Sequence, residues 1–358
     1  NMVSFMAGAR GLFYLRWRPL LDGPLFGAFG PYGLDGSRTP RSEMSARVGR
    51  WCQAPQQEQL WRSRPVQGEL GIVYVPQSEI FTHAQQGDTA FYAQSMQGAY
   101  QGFFDANIQA DWVHIAHIDA YDVLYLPFPV MLPRKIAEQL QAWVAAGGVL
   151  VCEGCPAYFG DGGRVGQVQP NSGLDELFGA RESYVEFTPD LLGDLAFNLD
   201  GLPVRGGLFL QAYEPIGGTP VGWYTDGRIA AVDHAYGEGR TRLVGTMCGA
   251  GYAAHPEQRS PAFFERVLAF AGKEPHVRSS QPRVKARLQV GEGKTYLWIA
   301  NPTRQTLPVR LTLGQRWGSF SAGRTLWGAD AVVTGRTVAL DAPARGVTVI
   351  QLEETSTI

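Results

Sequence analysis

The chain has 358 residues, with 31 basic and 33 acidic side chains and a formal net charge of −2 at pH 7. This balance excludes the basic surface that a nucleic-acid-binding protein needs, and no apolar run approaches the roughly 18 residues of a membrane-spanning helix. The length and the hydrophobic fraction of 45% predict two or three domains, with neither a nucleic-acid nor a membrane partner. The four cysteines are too few for a disulfide scaffold and favour a reducing, cytoplasmic location.

Residues 1–65 form the first segment and begin with an aromatic run. The letters LFYLRWRP at 12–19 predict a strand, and the Gly/Pro-rich stretch 23–36 predicts a loop. Residues 42–60 then predict a helix. Trp17 and Arg18 stand near the end of the predicted strand, where such a pair fits either contact with a sugar or packing beside a surface charge.

Strands and helices alternate along residues 66–275, and residues 121–160 show the pattern most clearly. An apolar run after Asp122 predicts a buried strand, and Pro133 suits the first turn of a helix. Gly147-Gly148 ends that helix, and a second apolar run follows. Two parallel strands joined by a helix place the next loop at the carboxyl edge of the sheet, where ligands and nucleophiles collect. The fold class is therefore α/β with a parallel sheet.

The last segment, residues 276–358, changes to alternating apolar and polar residues. The short runs VKARLQVG, TYLWIANP, PVRLTL and GVTVIQLE are separated by turn residues. This period of two predicts a small antiparallel β-sandwich.

A candidate catalytic group lies at the predicted carboxyl edge. Cys152, Glu153 and Cys155 follow the second buried strand, and His255 and Glu257 come after a later strand. A histidine can take the proton of a cysteine nucleophile, and a carboxylate can fix the imidazole tautomer. Cys155 is the favoured nucleophile because it lies further into the loop. The competing interpretation is that a cysteine in an apolar strand is simply a small buried hydrophobic residue.

The same two cysteines have C-x-x-C spacing, which also occurs in zinc sites and disulfide exchange. No second pair follows, so the sequence predicts no metal site. Residues 160–166 are rich in glycine but lack the Lys-Ser/Thr pair of a phosphate-binding loop. We therefore expect no cofactor.

The order of motifs resembles the C-terminal portion of a glycoside hydrolase family 42 β-galactosidase. The segments GARGLFYLRWRP and FGAFGPYGLDG are followed by YDVLYLP, AAGGVLVCEG, GGRVG, LDELFGA and GEGRTRLVGT. The resemblance implies that residues 1–65 are the end of a (β/α)8 barrel and that residues 276–358 are a small β domain. Between them, residues 66–275 would be a flavodoxin-like or glutamine-amidotransferase-like trimerisation domain. In this resemblance Trp17 and Arg18 match the end of the last barrel strand.

The resemblance also carries expectations about function. Such glycosidases use one glutamate as general acid and another as nucleophile, and in the family both lie on earlier barrel strands than those this chain contains. The chain is then expected to be an oligomerisation scaffold, a homotrimer without glycosidase activity of its own. A truncated gene, a processed product and a natural short homologue all fit.

Two alternatives stay open. One is a small hydrolase that acts on esters, amides or thioesters through Cys155, His255 and Glu257. The other is a carbohydrate-binding module in which Trp17 stacks on a sugar ring.

Overall fold

The computed structural model describes residues 2–14, 16–20, 30–187 and 193–354. The chain divides into two compact units, one of Asn1–Val66 with His276–Ile358 and the other of Gln67–Pro275. Within the described ranges, no helix is both long and apolar enough to cross a membrane.

The first unit begins with helices and one short strand. They are α1 (Met2–Met6), α2 (Pro40–Gln53), α3 (Glu58–Arg62) and β1 (Arg64–Pro65). A capping box starts α2: the Thr39 hydroxyl accepts from the Ser42 N–H at 3.2 Å, and the Thr39 N–H donates to the Ser42 hydroxyl at 2.9 Å. The helix predicted over 42–60 is confirmed, but it is divided at Pro55, which begins a short 3-10 turn.

The strand predicted over residues 12–19 is wrong for the part of it that the structure describes. Residues 12–14 and 16–19 have no strand conformation. Aromatic residues favour strands, but a strand forms only beside a partner that accepts its hydrogen bonds. Among the described residues, no strand pairs with this segment. The predicted loop falls largely on residues 21–29, which lie outside the described ranges.

The second unit holds the α/β core. In chain order its elements are β2 (Leu70–Tyr74), α4 (Pro76–Gln86), α5 (Ala90–Asp105), β3 (Ala110–His114), β4 (Val123–Leu126), α6 (Arg134–Ala145), β5 (Val149–Cys152), α7 (Leu174–Phe178), β6 (Ala180–Glu186), β7 (Ala196–Leu199), β8 (Leu202–Arg205), β9 (Leu210–Pro215), β10 (Thr219–Tyr224), β11 (Ile229–Tyr236), β12 (Gly239–Val244), α8 (Cys248–Ala254) and α9 (Ala262–Phe270). In the described residues, β2 to β12 form one mixed sheet.

The parallel half of this sheet has the order β3-β2-β4-β5-β12, and all four pairings are parallel. The sheet continues in antiparallel order through β11, β10, β7 and β8, while β9 and β6 pair beside β11. The predicted strand–helix–strand unit is confirmed as β4, α6 and β5. One face of α6 is buried because its apolar residues recur every three or four positions; these are Ile136, Leu140, Trp143 and Val144.

Each face of the parallel sheet is covered by helices. On one face, Tyr125 and Val151 pack with residues of α5, α8 and α9, among them Phe103 and Phe264. On the other face, Leu124, Leu150 and Cys152 pack with α6 and α7. The carboxyl ends of β4, β5 and β12 therefore meet at an edge enclosed between two helical layers.

The first unit ends in two antiparallel sheets. Its strands are β13 (Val277–Ser279), β14 (Lys285–Gly291), β15 (Lys294–Asn301), β16 (Leu307–Leu313), β17 (Phe320–Trp327), β18 (Val332–Thr334), β19 (Thr337–Ala342) and β20 (Gly346–Glu354). One sheet has the order β1-β14-β15-β20-β17 and the other β13-β16-β19-β18. Both contribute to one hydrophobic core, for example through Leu297 and Leu311. The strands predicted from alternating residues are confirmed.

Candidate functional site

The residue after strand β5, Glu153, lies fully buried at the carboxyl edge of the sheet. Its Oε1 accepts hydrogen bonds from the Tyr125 hydroxyl at 2.8 Å and from the Gly249 backbone N–H at 2.6 Å. Its Oε2 accepts from the Ser95 hydroxyl at 2.6 Å and from the Phe128 backbone N–H at 3.0 Å. One carboxyl group thus connects α5, the end of β4 and the start of α8.

Burial raises the pKa of Glu153 above its ordinary value, and the four hydrogen bonds act in the opposite direction. A buried carboxyl group is unfavourable unless its oxygens are hydrogen-bonded, and here each oxygen accepts two bonds. Because the protein itself uses these acceptor positions, Glu153 is built to hold three elements together rather than to bind a substrate.

Glycines allow α5 and α8 to approach closely enough for this arrangement. A Cβ added to Gly98 on α5 would lie 1.8 Å from the carbonyl oxygen of Gly249 on α8. A Cβ added to Gly249 would lie 2.1 Å from the Ser95 carbonyl oxygen. Gly154 is similarly restricted, because its Cβ would lie 2.9 Å from the Thr246 nitrogen. Backbone contact between the helices therefore brings the Gly249 N–H to the Glu153 carboxyl group.

Cys155, the favoured nucleophile of the sequence, lies in a sharp turn with φ at +58°. Its backbone N–H donates to Gln211 Oε1 at 2.7 Å, which also accepts from the Tyr213 hydroxyl at 2.7 Å. Gln211 in turn donates to Glu182 Oε2 at 2.7 Å. The thiol is completely buried, and burial raises the pKa of Cys155 well above its usual value. A cysteine nucleophile needs an accessible thiolate, whereas this environment favours the neutral thiol.

Cys152 lies on the other face of the sheet from Cys155. Cys152 belongs to the core beneath α6 and α7, and Cys155 belongs to the core beneath α5 and α8. Burial also raises the pKa of Cys152. Two thiols in different cores do not converge on a metal ion, despite their C-x-x-C spacing. In the described ranges no group of three metal-binding side chains could hold a metal ion.

His255 and Glu257, the predicted base and orienting carboxylate, follow helix α8. The Nε2 of His255 lies 2.7 Å from the carbonyl oxygen of Gly193. The imidazole lines a cavity of about 60 Å³, and Glu257 is exposed to solvent. Between the described residues, no hydrogen bond joins His255 to either thiol of the C-x-x-C pair. The geometry therefore brings Glu153 together with four donors, but it does not join a base to a nucleophile.

Trp17 and Arg18 lie in the first unit and are both exposed. The Trp17 ring packs against Tyr32 with a centroid distance of 4.8 Å and a tilt of 34°. The Trp17 carbonyl oxygen accepts from the Tyr32 N–H at 3.2 Å. Despite this contact, the Trp17 side chain remains 59% exposed to solvent. A sugar-stacking role for Trp17 and Arg18 stays a prediction.

Sequence reasoning missed the partners of Glu153, which are Ser95, Tyr125, Phe128 and Gly249. They stand 58, 28, 25 and 96 positions away in the chain. One signal was available: Gly98 lies within a helical pattern, where glycine is unfavourable unless another backbone approaches.

Residues 68–275 match the family described as the beta-galactosidase trimerisation domain of glycoside hydrolase family 42. The chain belongs to this family. The match covers nearly the whole of the second compact unit, Gln67–Pro275. The family resemblance inferred from the order of motifs is confirmed. A search among curated proteins gave no match.

Solved β-galactosidase structures share the fold of almost the whole chain. A catalytic mutant of Gan42B, a GH42 β-galactosidase from G. stearothermophilus, is 16% identical, with a TM-score of 0.78 over 98% of this chain and 50% of that one. The Bacillus circulans β-galactosidase is 17% identical, with a TM-score of 0.74 over 94% and 49%. The Halorubrum lacusprofundi enzyme is 21% identical, with a TM-score of 0.67 over 94% and 47%. The chain therefore spans about half the length of these proteins.

Proposed function

We propose that this chain is the self-associating half of a family 42 β-galactosidase-like glycosidase and that it assembles as a homotrimer. The observation that carries this proposal is an agreement of boundaries. The trimerisation family covers residues 68–275, and the second compact unit is Gln67–Pro275. Because the family's extent nearly coincides with one folded unit, the family describes a complete domain with its own core, and the trimerisation role in its description is assigned to that unit.

The arrangement of parallel strands supports a flavodoxin-like or amidotransferase-like interpretation of this unit. Numbered along the chain, the parallel strands have the spatial order second, first, third, fourth, fifth, which is the order of doubly wound folds of that type. Four free cysteines agree with the proposed cytoplasmic location.

We further propose that the chain by itself does not hydrolyse glycosides. A (β/α)8 barrel needs eight strand–helix units, and retaining and inverting glycosidases use two carboxyl groups placed on opposite sides of the glycosidic bond. The described residues before Gln67 supply three α-helices and one strand of two residues. A hydrolase that uses Cys155 has less support, because the thiol is buried and no described hydrogen bond joins it to His255.

Light scattering coupled to gel filtration tests the assembly proposal. We expect a particle of three times the chain mass of 39.1 kDa. A monomer at every accessible concentration would overturn it. A parallel assay with a chromogenic galactoside should show no turnover above the uncatalysed rate, and galactoside turnover by the chain alone would overturn the second proposal.

A further inference from the structure

An aromatic stack lies on the outside of the second unit, at one edge of its sheet. Trp112 on β3 stacks on Tyr100 of α5 with a centroid distance of 5.5 Å and an angle of 16°. Tyr100 also stacks on Phe104, one helical turn further, at 6.4 Å and 23°. Trp112 is 49% exposed and Tyr100 is 38% exposed. We call Tyr100, Phe104 and Trp112 the aromatic stack.

The strand beside this stack is an edge strand. Strand β3 pairs with β2 on one side, and no described strand pairs with it on the other. Edge strands in monomeric proteins are commonly protected by charged side chains, especially lysine, by proline or by a bulge. The sequence of β3, ADWVH, contains neither Lys nor Pro, its one acidic residue, Asp111, is bonded within the chain, and its pairing with β2 is regular. The strand therefore presents a regular edge next to exposed aromatic rings.

The helix beside the stack is unusual in its charge. Helix α5 has 16 residues and contains no Lys, Arg or Glu; its one charged residue is Asp105 at the end. Its outward positions are occupied by glutamine and tyrosine, such as Gln97 and Tyr100. Helix α6 instead exposes Arg134 and Glu138 to solvent. Enrichment in aromatic residues and depletion of Lys and Glu distinguish protein–protein interfaces from the rest of a protein surface.

The polar groups around the stack are bonded within the chain. The Asp111 carboxylate accepts from the Gly68 N–H at 2.7 Å and from the Tyr121 hydroxyl at 2.8 Å. Asp105 accepts from Gln101 at 2.8 Å and from the Tyr252 hydroxyl at 2.7 Å. A sugar site needs polar groups directed at the ligand to fix its orientation. Here the neighbouring carboxylates are directed inward, so the surface suits an apolar protein contact better than a sugar.

We infer that the edge formed by β3 and α5 is the surface through which one copy of this chain binds the next. The inference rests on the proposed self-association, and it names the surface that performs it. A second copy is the occupant because the unit that carries this edge is the one that matches a trimerisation family.

The test compares Trp112→Glu with a matched control, Trp223→Glu. Trp223 is 43% exposed in the same sheet, but its strand, β10, has neighbours on both sides. Light scattering across a dilution series should show that Trp112→Glu raises the concentration at which the assembly dissociates by about 30-fold or more, as for a central interface residue. Trp223→Glu should dissociate like the wild type. Far-ultraviolet circular dichroism checks that both variants fold.

A measurement on the unmodified chain keeps the test valid if Trp112→Glu does not fold. Amide hydrogen exchange in residues 97–114 should slow as the wild type is concentrated from its dissociated to its assembled state, while the amides of β10 should not change. Two outcomes would contradict the proposed interface but leave the proposed self-association standing. One is that the wild type assembles while exchange in residues 97–114 stays unchanged. The other is that a folded Trp112→Glu variant assembles like the wild type. A wild type that is monomeric throughout overturns both.

Discussion

The two sides of helix α5 differ in almost every physical respect. On its inner side, the Ser95 hydroxyl donates to Glu153, and Gly98 lies in backbone contact with Gly249 of α8. Its outer side presents Gln97 and Tyr100 beside an edge strand, and it carries almost no charge. The motif that suggested catalysis includes Glu153 and Cys155, and both are fully buried beneath the inner side of α5. The features that suggest a partner lie on the outer side, so a catalytic-looking motif can mark the interior of a scaffold.

The largest effect is expected where Glu153 is removed. Glu153→Ala leaves four donors without their acceptor in a dry interior and creates a cavity. We expect the free energy of unfolding to fall by about 3 kcal/mol or more, since each unsatisfied buried group costs about 1–3 kcal/mol. Urea denaturation monitored by circular dichroism measures this.

The Glu153→Gln variant tests the hydrogen bonds alone, because glutamine has nearly the same volume as glutamate and leaves no cavity. Each carboxylate oxygen accepts one backbone N–H, from Gly249 or Phe128, so either orientation of the amide places its NH₂ group against a donor. We expect an intermediate loss of stability. Glu182→Gln is the matched control, because Glu182 accepts one side-chain hydrogen bond, from Gln211, and is only partly buried. A Glu153→Gln protein as stable as the wild type would contradict the proposed role of this carboxyl group.

The interior of the second unit should also protect its cysteines. Burial raises the pKa of Cys152, Cys155 and Cys248 well above the usual value and also raises the pKa of Cys52, but Cys52 is only partly buried. In the folded protein, iodoacetamide should modify these three thiols at least about 100-fold more slowly than Cys52, because reaction requires local opening. Peptide mass spectrometry after timed labelling measures each site, and labelling in guanidinium gives the unprotected rates.

Rapid modification of Cys155 in the folded chain would contradict this closed arrangement. It would also strengthen the alternative in which Cys155 and His255 form a hydrolytic site, particularly if turnover of a short-chain ester were lost at the same rate. Slow modification with no ester turnover would leave the thiol as a core residue.

The sequence predicted those parts of the fold that depend on local periodicity. The strand–helix–strand unit from β4 to β5 followed from residue spacing alone, because a helix buried on one face repeats every three or four residues. The alternating strands of the last segment followed in the same way. The failure came at residues 12–19, where composition favoured a strand but strand formation depends on a distant partner.

The candidate site was less predictable, because its geometry is non-local. Cys155 was predicted as a nucleophile from its residue type and its place in the loop. Whether its thiol is accessible depends on helices that are far away in the chain. Glu153 was included only as a neighbour of the two cysteines, yet it makes the most hydrogen bonds of the group. The aromatic stack joins Tyr100 to Trp112, and only the placement of β3 at the sheet edge shows that these rings face solvent.

The smallest of these effects concerns the contact between α5 and α8. Gly98→Ala places a methyl group 1.8 Å from the Gly249 carbonyl oxygen, so the helices must separate, and we expect a loss of about 1–3 kcal/mol from overpacking. Gly49→Ala in helix α2 is the control, because its Cβ would meet nothing within 4 Å. That change should add about 0.5–1 kcal/mol, since alanine favours a helix interior more than glycine.

Both variants replace glycine by alanine within a helix, so the helix propensity changes alike and the difference in unfolding free energy reports the packing alone. If Gly98→Ala were stabilised as much as Gly49→Ala, α5 and α8 would not be in backbone contact. The Gly249 N–H would then not reach Glu153 as described. Equal stabilisation would therefore remove the distinction between a closed inner side and an open outer side of α5.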